Sequence, residues 1–395
     1  MYYLEYDPLL MLPGPTNVSK EVYLAMIRPI INHRGKHFRE LYVSLIEKLK
    51  KVLNTKNMVI PLTASGTGAI EAVISTFFKK GDRILILNHG IFGERAGQIA
   101  QRKEIIVDYL NAKMGDAVSP EILENHLDSN PGKYKAVYIV YNETSTGVTA
   151  RPLESYLKIA KNHDLITIVD AISIVGGDFL YVDKWKIDVC IGGSQKALAA
   201  PPVISFVSVS DEVLERTRDV NPSSLYFDLR NYIRWYEERR EPPATPAIPL
   251  FYALDKALDR VLSEGLANRI QRHVAAAKSF YMALEDCGLK ILPKRQYRSN
   301  TVIAVKTPSN IKPSEIIRML ADYYNIHIAG GLGGLKGKIF RIGSMGDINL
   351  QFIIRTLYAI FDILKRLGLD IKIYEAVAKA TEIYNEVIGN GDKGR

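Results

Sequence analysis

Two residues in the middle of the sequence have side chains suited to covalent and proton-transfer chemistry. Asp170 directly follows an apolar run at 165–169, and Lys196 follows another at 189–191. Taken singly, the aspartate could cap a turn and the lysine could lie in solvent. As a pair, they supply an amine that forms a Schiff base and an acid that keeps a pyridine nitrogen protonated. The sequence therefore favours pyridoxal phosphate chemistry at these two positions.

A third feature is suited to binding the phosphate of such a cofactor. Residues 63–68, Thr-Ala-Ser-Gly-Thr-Gly, follow an apolar run and precede a helical pattern. A helix N-terminus offers free N–H groups and the positive end of the helix dipole to an anion. Ser and Thr are also ordinary helix caps, so this motif gains weight only beside Asp170 and Lys196.

The elements that must position these residues are indicated by a regular alternation between residues 58 and 210. Short continuous apolar runs predict buried strands, and stretches with apolar residues three or four apart predict the helices between them. This order predicts an α/β fold with a large, doubly wound and mostly parallel sheet. The predicted strands are 59–62, 83–87, 136–141, 165–169, 189–191 and 203–209, and the predicted helices are 66–78, 94–102, 120–127 and 152–163.

The pattern changes after residue 210. A proline-rich segment at 241–249 excludes regular helix, and a long helical stretch at 250–288 follows it. Beyond it we expect a smaller α+β domain, so the predicted domains are 1–264, which binds the cofactor and includes an N-terminal arm, and 265–395. The elements predicted in the second domain are strands at 301–305 and 339–342, helices at 314–324 and 348–366, a turn at 330–331 and a frayed end at 390–395.

Composition excludes several other classes. Hydrophobic residues make up 47% and charged residues 24%, as in ordinary soluble globular proteins. The net charge is +9, but basic residues are interleaved with acidic ones, so we expect no nucleic-acid partner. We expect no secretory signal at residues 1–15 and no membrane-spanning run. The two cysteines, Cys190 and Cys287, have no paired spacing, which predicts no metal site and fits the cytoplasm.

Several motifs together resemble those of the class V aminotransferases, which have the fold of type I pyridoxal-phosphate-dependent transferases. Within that class the chain resembles serine:pyruvate and alanine:glyoxylate aminotransferases. The resemblance runs from residue 12 to at least residue 347. The matching segments are 12–15, 65–67, 90–95, 142–147, 169–170, 193–198 and 340–343.

The resemblance implies a role for each matching residue. The equivalent of Lys196 carries the Schiff base, that of Asp170 pairs with the pyridine nitrogen, and that of Phe92 stacks on the ring. Arg341 and Gly14 are expected to bind the substrate carboxylate. The remaining expected cofactor contacts are Thr144 at the phenolic oxygen, Ser65, Gly66, Thr67 and Gln195 at the phosphate, and Thr245 at the phosphate of a neighbouring subunit.

Two positions depart from the family pattern. Leu12 replaces the first glycine of a Gly-Pro-Gly-Pro motif, and Pro242 stands where many relatives have a phosphate-binding tyrosine. What replaces that tyrosine is left open. His33, Arg34 and His37 could line the entrance, but a local ion-pair role at the surface is favoured.

The sequence thus predicts a pyridoxal-phosphate-dependent aminotransferase that forms a homodimer with shared active sites. Because Arg341 is the one arginine assigned to a carboxylate, we expect a small donor, serine or alanine, and pyruvate or glyoxylate as acceptor. One alternative is a cysteine desulfurase or related lyase, which would need a mobile cysteine. A second is a non-enzymatic binding protein that kept the fold.

Overall fold

The computed structural model describes residues 7–392, with side chains through residue 389. The large N-terminal part is built on a seven-stranded sheet. Its strands run in the order β2-β10-β9-β8-β5-β3-β4, and every neighbouring pair is parallel except the two that involve β10. The prediction of a doubly wound, mostly parallel sheet is confirmed. Through the seventh strand of that sheet the elements are β1 (Leu9–Leu10), α1 (Lys20–Met26), α2 (Lys36–Leu53), β2 (Met58–Leu62), α3 (Gly66–Phe77), β3 (Arg83–Asn88), α4 (Ile91–Arg102), β4 (Ile106–Asn111), α5 (Pro120–Asp128), β5 (Ala136–Val140), β6 (Asn142–Glu143), β7 (Val148–Thr149), α6 (Leu153–Asn162), β8 (Ile166–Asp170), β9 (Val189–Gly193) and β10 (Ser205–Val209).

The central strands are apolar throughout because helices cover both faces of the sheet. Along β3, Ile84 and Ile86 pack into one hydrophobic core while Leu85 and Leu87 pack into the other. Successive side chains of a strand point to opposite faces, so a strand covered on both sides has no polar face. That is why continuous apolar runs identified these strands in the sequence.

One strand of this sheet was missed. β4 lies at the sheet edge and pairs only with β3, and most of its residues are partly exposed. Its sequence, Ile-Val-Asp-Tyr-Leu-Asn, lacks the continuous apolar run that marks a central strand. The prediction of six strands was therefore one strand short.

The C-terminal part has its own core and a four-stranded antiparallel sheet in the order β11-β12-β15-β14. The N-terminal arm reaches this part, since β1 pairs in parallel with β13. The remaining elements are α7 (Asp211–Arg216), α8 (Leu229–Arg239), α9 (Ile248–Glu264), α10 (Leu266–Asp286), β11 (Lys290–Ile291), β12 (Val302–Lys306), α11 (Pro313–Tyr324), β13 (Ile326–His327), β14 (Ala329–Gly330), β15 (Ile339–Gly343), α12 (Leu350–Arg366) and α13 (Ile373–Asp392).

Two expectations for this part need correction. The helical stretch at 250–288 is two helices, because Gly265 adopts a positive φ of 80° and separates α9 from α10. Residues 390–392, expected to be frayed, form the end of α13, a helix that the sequence interpretation missed. Residues 393–395 lie outside the described residues. Across residues 7–392, no helix is long and apolar enough to cross a membrane.

Candidate active site

Five of the predicted site segments meet at one edge of the large sheet. They follow the carboxyl ends of β2, β3, β5, β8 and β9, which point in the same direction. Open α/β sheets bind ligands at this edge. The segments enclose a cavity of about 290 Å³. It is lined by Ser65, Gly66, Thr67, Ile70, Phe92, Arg95, Val140, Asn142, Thr144, Asp170, Ile172, Ser173, Gln195 and Lys196.

Asp170 lies at the end of β8 and is 5% exposed. Its Oδ1 accepts a hydrogen bond from the backbone N–H of Ile172 at 3.0 Å, and its Oδ2 accepts one from the Tyr138 hydroxyl at 3.1 Å. Burial raises the pKa of the Asp170 carboxyl to about 6, although these donors and the nearby cations Lys196 and Arg95 oppose the rise. A further positive partner would therefore stabilise the ionised form of Asp170.

Lys196 reaches into the same cavity from the loop after β9. Its Nζ donates a hydrogen bond to the carbonyl oxygen of Pro13 at 2.5 Å. Burial lowers the pKa of the Lys196 amine to about 8, and the positive charges of Arg341 and Arg95 lower it further, against the attraction of Asp170. About a tenth of the amine is therefore in the unprotonated, nucleophilic form at pH 7, far more than for an ordinary lysine.

The N-terminal arm closes on this lysine through a glycine. Gly14 has a φ of 93°, and a Cβ placed on it would lie 2.5 Å from Lys196 Nζ. Any side chain would displace the lysine, so the close approach requires glycine at this position.

The start of α3 provides the anion-binding part of the cavity. Ser65 is the N-cap, and its Oγ accepts a hydrogen bond from the N–H of Gly68 at 3.5 Å. The first N–H groups of a helix have no acceptor within the helix. Across the cavity, the side-chain oxygen of Gln195 is buried without a hydrogen-bond partner among the described residues. That oxygen is an acceptor and needs a donor, so only the amide NH2 of Gln195 would suit a phosphate.

Four apolar side chains line the cavity: Ile70, Phe92, Val140 and Ile172. Phe92 lies in the first turn of α4, and Ile172 follows Asp170. Ile172 also approaches Gly66, where an added Cβ would meet its Cδ1 at 2.6 Å. An aromatic face and a branched aliphatic side chain are suited to a flat ring.

Phe92 is held in place by Glu143, a residue that the sequence interpretation placed in a motif but gave no role. The carboxylate is fully buried, and its Oε2 accepts hydrogen bonds from the N–H groups of Phe92 at 3.0 Å and Gly93 at 3.4 Å. Its Oε1 accepts from the N–H of Ser145 at 3.0 Å. Burial raises the pKa of Glu143, while the four hydrogen bonds from Ser145, Phe92 and Gly93 oppose that rise.

Arg341 approaches the same region from the C-terminal part, in the middle of β15. Its Nε donates to the carbonyl of Gly330, and its Nη1 donates to the carbonyl of Thr144, each at 2.8 Å. Among the described residues no hydrogen-bond partner of Nη2 is found. The guanidinium is thus oriented by backbone carbonyls and keeps a donor for a carboxylate. Thr144 itself is buried and lines the cavity.

Arg95 is the main site residue that sequence reasoning missed. Its guanidinium carbon lies 4.7 Å from the centre of the Phe92 ring, and the side chain lines the cavity. The helical spacing of three residues between Phe92 and Arg95 could have identified it, because residues three apart share a helix face. Arg95 is therefore a second cation at this site, beside Arg341.

Three predicted site residues do not line the cavity: Gly14, Arg341 and Thr245. Gly14 and Arg341 adjoin the lining residues Lys196 and Thr144, whereas no contact of Thr245 with a lining residue is found among the described residues. Thr245 is exposed, and its hydroxyl lies 3.3 Å from Nε2 of His33. Its segment is fixed by Arg34, which binds Glu241 at 3.0 Å and the carbonyls of Pro242 and Pro243. Arg34 thus has the local ion-pair role that the sequence favoured.

The cysteines do not resemble a mobile nucleophile. Cys190 is fully buried in β9, and burial raises the pKa of its thiol far above the usual range. Cys287 ends α10, and burial raises the pKa of its thiol to about 11. Neither thiol lines the cavity, so nothing in the described site supports the desulfurase alternative.

Comparison with known proteins agrees with this geometry. Residues 17–340 match the family model of the class V aminotransferases. An uncharacterized aminotransferase of Methanocaldococcus jannaschii is 42% identical over 370 residues, which cover 92% of this chain and 94% of that protein. A serine–glyoxylate aminotransferase of Arabidopsis thaliana is 34% identical and covers 94% of this chain and 94% of its own. The crystal structure of ureidoglycine–glyoxylate aminotransferase from Bacillus subtilis has a TM-score of 0.90 at 28% identity and covers 98% of this chain and 100% of that one.

The chain belongs to the class V aminotransferase family, as its motifs predicted. It is an aminotransferase with the type I fold of pyridoxal-phosphate-dependent transferases, and the family implies pyridoxal 5′-phosphate as the cofactor.

Proposed function

We propose that this chain binds pyridoxal 5′-phosphate in the cavity and transfers the amino group of serine or alanine to pyruvate or glyoxylate. The observation that carries the proposal is the presence of Lys196 and Asp170 in one cavity with a free helix N-terminus. The residues fit the cofactor, since Ser65, Gly66 and Thr67 offer donors for the phosphate.

When bound, pyridoxal phosphate supplies an aldehyde carbon for amines and a ring that accepts electron density from the substrate Cα. Lys196 is the residue we assign to hold the aldehyde carbon and then to carry a proton at the substrate Cα, since an amine with a pKa of about 8 can do both near neutral pH. Asp170 would hold a proton on the ring nitrogen through an ion pair. Phe92 and Ile172 would fix the plane of the ring, and Thr144 would face its phenolic oxygen.

The substrate carboxylate is assigned to Arg341. Its Nη2 is available, while the two carbonyl contacts of Nε and Nη1 keep the guanidinium in one plane. Gly14 lies against Lys196 Nζ, so its backbone borders the place where substrate and lysine meet. Together these groups would orient the Cα–H bond toward Lys196.

A small substrate remains the proposal even though Arg95 lines the cavity. The Arg95 guanidinium lies against Phe92, the side chain we assign to the cofactor ring, and its charge acts on the pKa of both Asp170 and Lys196, so we assign it to the cofactor and not to the substrate. A second carboxylate without a cation on the substrate side would cost several kcal/mol. The relative named serine–glyoxylate aminotransferase also supports a small donor.

The test is a panel of first half-reactions on the purified enzyme with bound cofactor. Loss of the cofactor's visible absorbance is followed for serine, alanine, aspartate, glutamate and phosphoserine. We expect the highest kcat/KM for serine or alanine. If a dicarboxylic or phosphorylated donor reacts fastest, the small-substrate proposal is wrong and Arg95 becomes the first residue to examine.

We also propose a homodimer in which Thr245 contributes to the phosphate site of the partner. Thr245 is exposed. Its segment contacts the phosphate-binding turn of its own subunit, residues 63–68, where the N–H of Ala247 donates to Thr63 Oγ1 at 3.0 Å. Next to the same turn, Leu225 is 87% exposed and Tyr226 donates to the Thr63 carbonyl. Exposed apolar side chains beside a site are typical of an interface. A fully active monomer in light scattering at assay concentration would contradict this.

We also propose a domain boundary for the chain and a cellular location for the protein. We place the boundary between residues 264 and 265, where Gly265 separates α9 from α10, and the core beyond it is distinct from the two cores of the large sheet. Two unpaired cysteines agree with the reducing cytoplasm.

A further inference from the structure

The peptide that follows Lys196 is held by a buried arginine from another part of the chain. Arg269 lies in the first turn of α10, and the residue is 1% exposed. Its Nη2 and Nε donate to the carbonyl oxygen of Ala197 at 2.6 and 3.3 Å. Ala197 directly follows Lys196. The contact therefore fixes the plane of the peptide group between residues 197 and 198.

The carbonyl of Lys196 itself is also held. The Thr16 hydroxyl donates to it at 3.3 Å, and the N–H of Ala199 donates to it at 3.0 Å. With Arg269 on the carbonyl of Ala197, two successive peptide groups have fixed orientations. The first of these peptide groups adjoins the Cα of Lys196, so its orientation constrains the direction in which the Lys196 side chain leaves the backbone.

Two carboxylates compensate the positive charge of Arg269. Nη1 donates to Glu264 at the end of α9 at 2.6 Å, and Nη2 lies 3.7 Å from Asp347. Asp347 follows β15, the strand that carries Arg341. A buried cation is costly unless it is paired and hydrogen-bonded, and an apolar side chain of similar size would fill the space without that cost. What the guanidinium adds is directional hydrogen bonds to several partners at once.

His273 supports the same junction one turn further along α10. Its Nδ1 lies 2.8 Å from the carbonyl of Arg269, and its Nε2 accepts a hydrogen bond from the N–H of Gly346 at 3.1 Å. Burial lowers the pKa of His273 well below its usual value, so the ring is neutral and Nδ1 carries the proton. The backbone that presents Arg269 is thus joined to the segment after β15.

We propose that Arg269 is a positioning residue, which sets the direction of Lys196 through the carbonyl of Ala197. This rests on the proposed function, in which Lys196 binds the cofactor and carries the proton. Arg269 does not line the cavity, so any effect on the reaction has to pass through the Lys196 loop. A displacement of about 1 Å in a reacting group can reduce a rate on the order of a hundredfold.

The test compares Arg269→Lys with Arg272→Lys. Lysine keeps the charge at position 269 but loses the guanidinium fork that reaches Ala197, Glu264 and Asp347 together. Arg272 is the matched control, because it binds the same Glu264 at 2.6 Å and the carbonyl of Gly346 but does not contact the Lys196 loop. The measurements are the rate at which cofactor-free protein links covalently to added pyridoxal phosphate, kcat and KM for serine, and the melting temperature.

For Arg269→Lys we expect linkage and kcat to fall about tenfold to a hundredfold, with KM nearly unchanged. For Arg272→Lys we expect a lower melting temperature with linkage and kcat near wild type. Should Arg269→Lys fail to fold, Arg269→Gln tests the same contact without leaving a buried cation.

Three results would overturn parts of this account in different ways. Wild-type linkage and kcat in the Arg269 variant would refute the positioning role alone. Equal losses in both variants would assign Arg269 to general stability instead. A wild-type protein that forms no linkage would refute the proposed function and, with it, the role of Arg269.

Discussion

Replacing Asp170 with asparagine is expected to stabilise the cofactor-free protein and to reduce its activity. Burial raises the pKa of the Asp170 carboxyl from 3.8 to about 6. Since one pKa unit corresponds to about 1.4 kcal/mol, ionised Asp170 costs the folded protein about 3 kcal/mol. Asparagine removes that cost and can still accept the hydrogen bond from the Ile172 N–H.

The effect depends on pH in a defined direction. A carboxyl whose pKa is raised by folding binds its proton more tightly in the folded chain than in the unfolded one. The free energy of unfolding therefore falls as the pH rises from about 4 to about 6, and the loss is complete above about 6. The advantage of Asp170→Asn should be near zero at the acidic end and reach about 3 kcal/mol at neutral pH.

Urea unfolding of both cofactor-free proteins across this pH range measures the effect. Asp188→Asn is the control, since Asp188 is also buried but is paired with Lys161 at 2.7 Å, so its replacement should destabilise. With cofactor bound, Asp170→Asn should lose most of kcat because the ring nitrogen loses its anionic partner. An Asp170→Asn protein less stable than wild type at neutral pH, or one with wild-type kcat, would refute the reasoning.

Three further changes have defined outcomes. Arg341→Ala should raise KM for every amino acid donor on the order of a hundredfold, measured by steady-state kinetics, because the carboxylate loses its cationic partner; an unchanged KM would remove Arg341 from the substrate site. Glu143→Gln should destabilise the protein by about 1–3 kcal/mol in urea unfolding, because the amide cannot accept every hydrogen bond from Phe92, Gly93 and Ser145; equal stability would show that the buried charge is not needed. Arg95→Met should weaken cofactor binding in a spectrophotometric titration while leaving the preference for serine over aspartate unchanged, and a reversed preference would place Arg95 in the substrate pocket.

Much of the site could be predicted because its residues follow buried strands. Asp170 and Lys196 come after continuous apolar runs, and parallel strands bring their carboxyl ends to one edge regardless of distance along the chain. The same apolar signal was absent at β4, an edge strand, so that strand was missed. The local sequence pattern thus predicts the strands and helices and their order along the chain. That order in turn predicts which strands have their carboxyl ends at the same edge of the sheet.

Contacts between distant segments could not be predicted in the same way. Arg269 follows Lys196 by 73 residues, and nothing in its helical context shows that its side chain is buried against Ala197. Glu143 was quoted within a motif, yet its role at the start of α4 depends on how β5 and β3 pair. Thr245 is assigned to a site formed by two subunits, and a contact between subunits leaves no local pattern in the sequence.

The most direct measurement of the central claim is the location of the covalent link to pyridoxal phosphate. The protein is incubated with the cofactor, reduced with borohydride, digested and analysed by mass spectrometry. We expect the modification on the peptide that contains Lys196, and we expect Lys196→Ala to remain folded, to carry no such modification and to show negligible aminotransfer. Modification at a different lysine, or normal turnover by Lys196→Ala, would contradict the assignment.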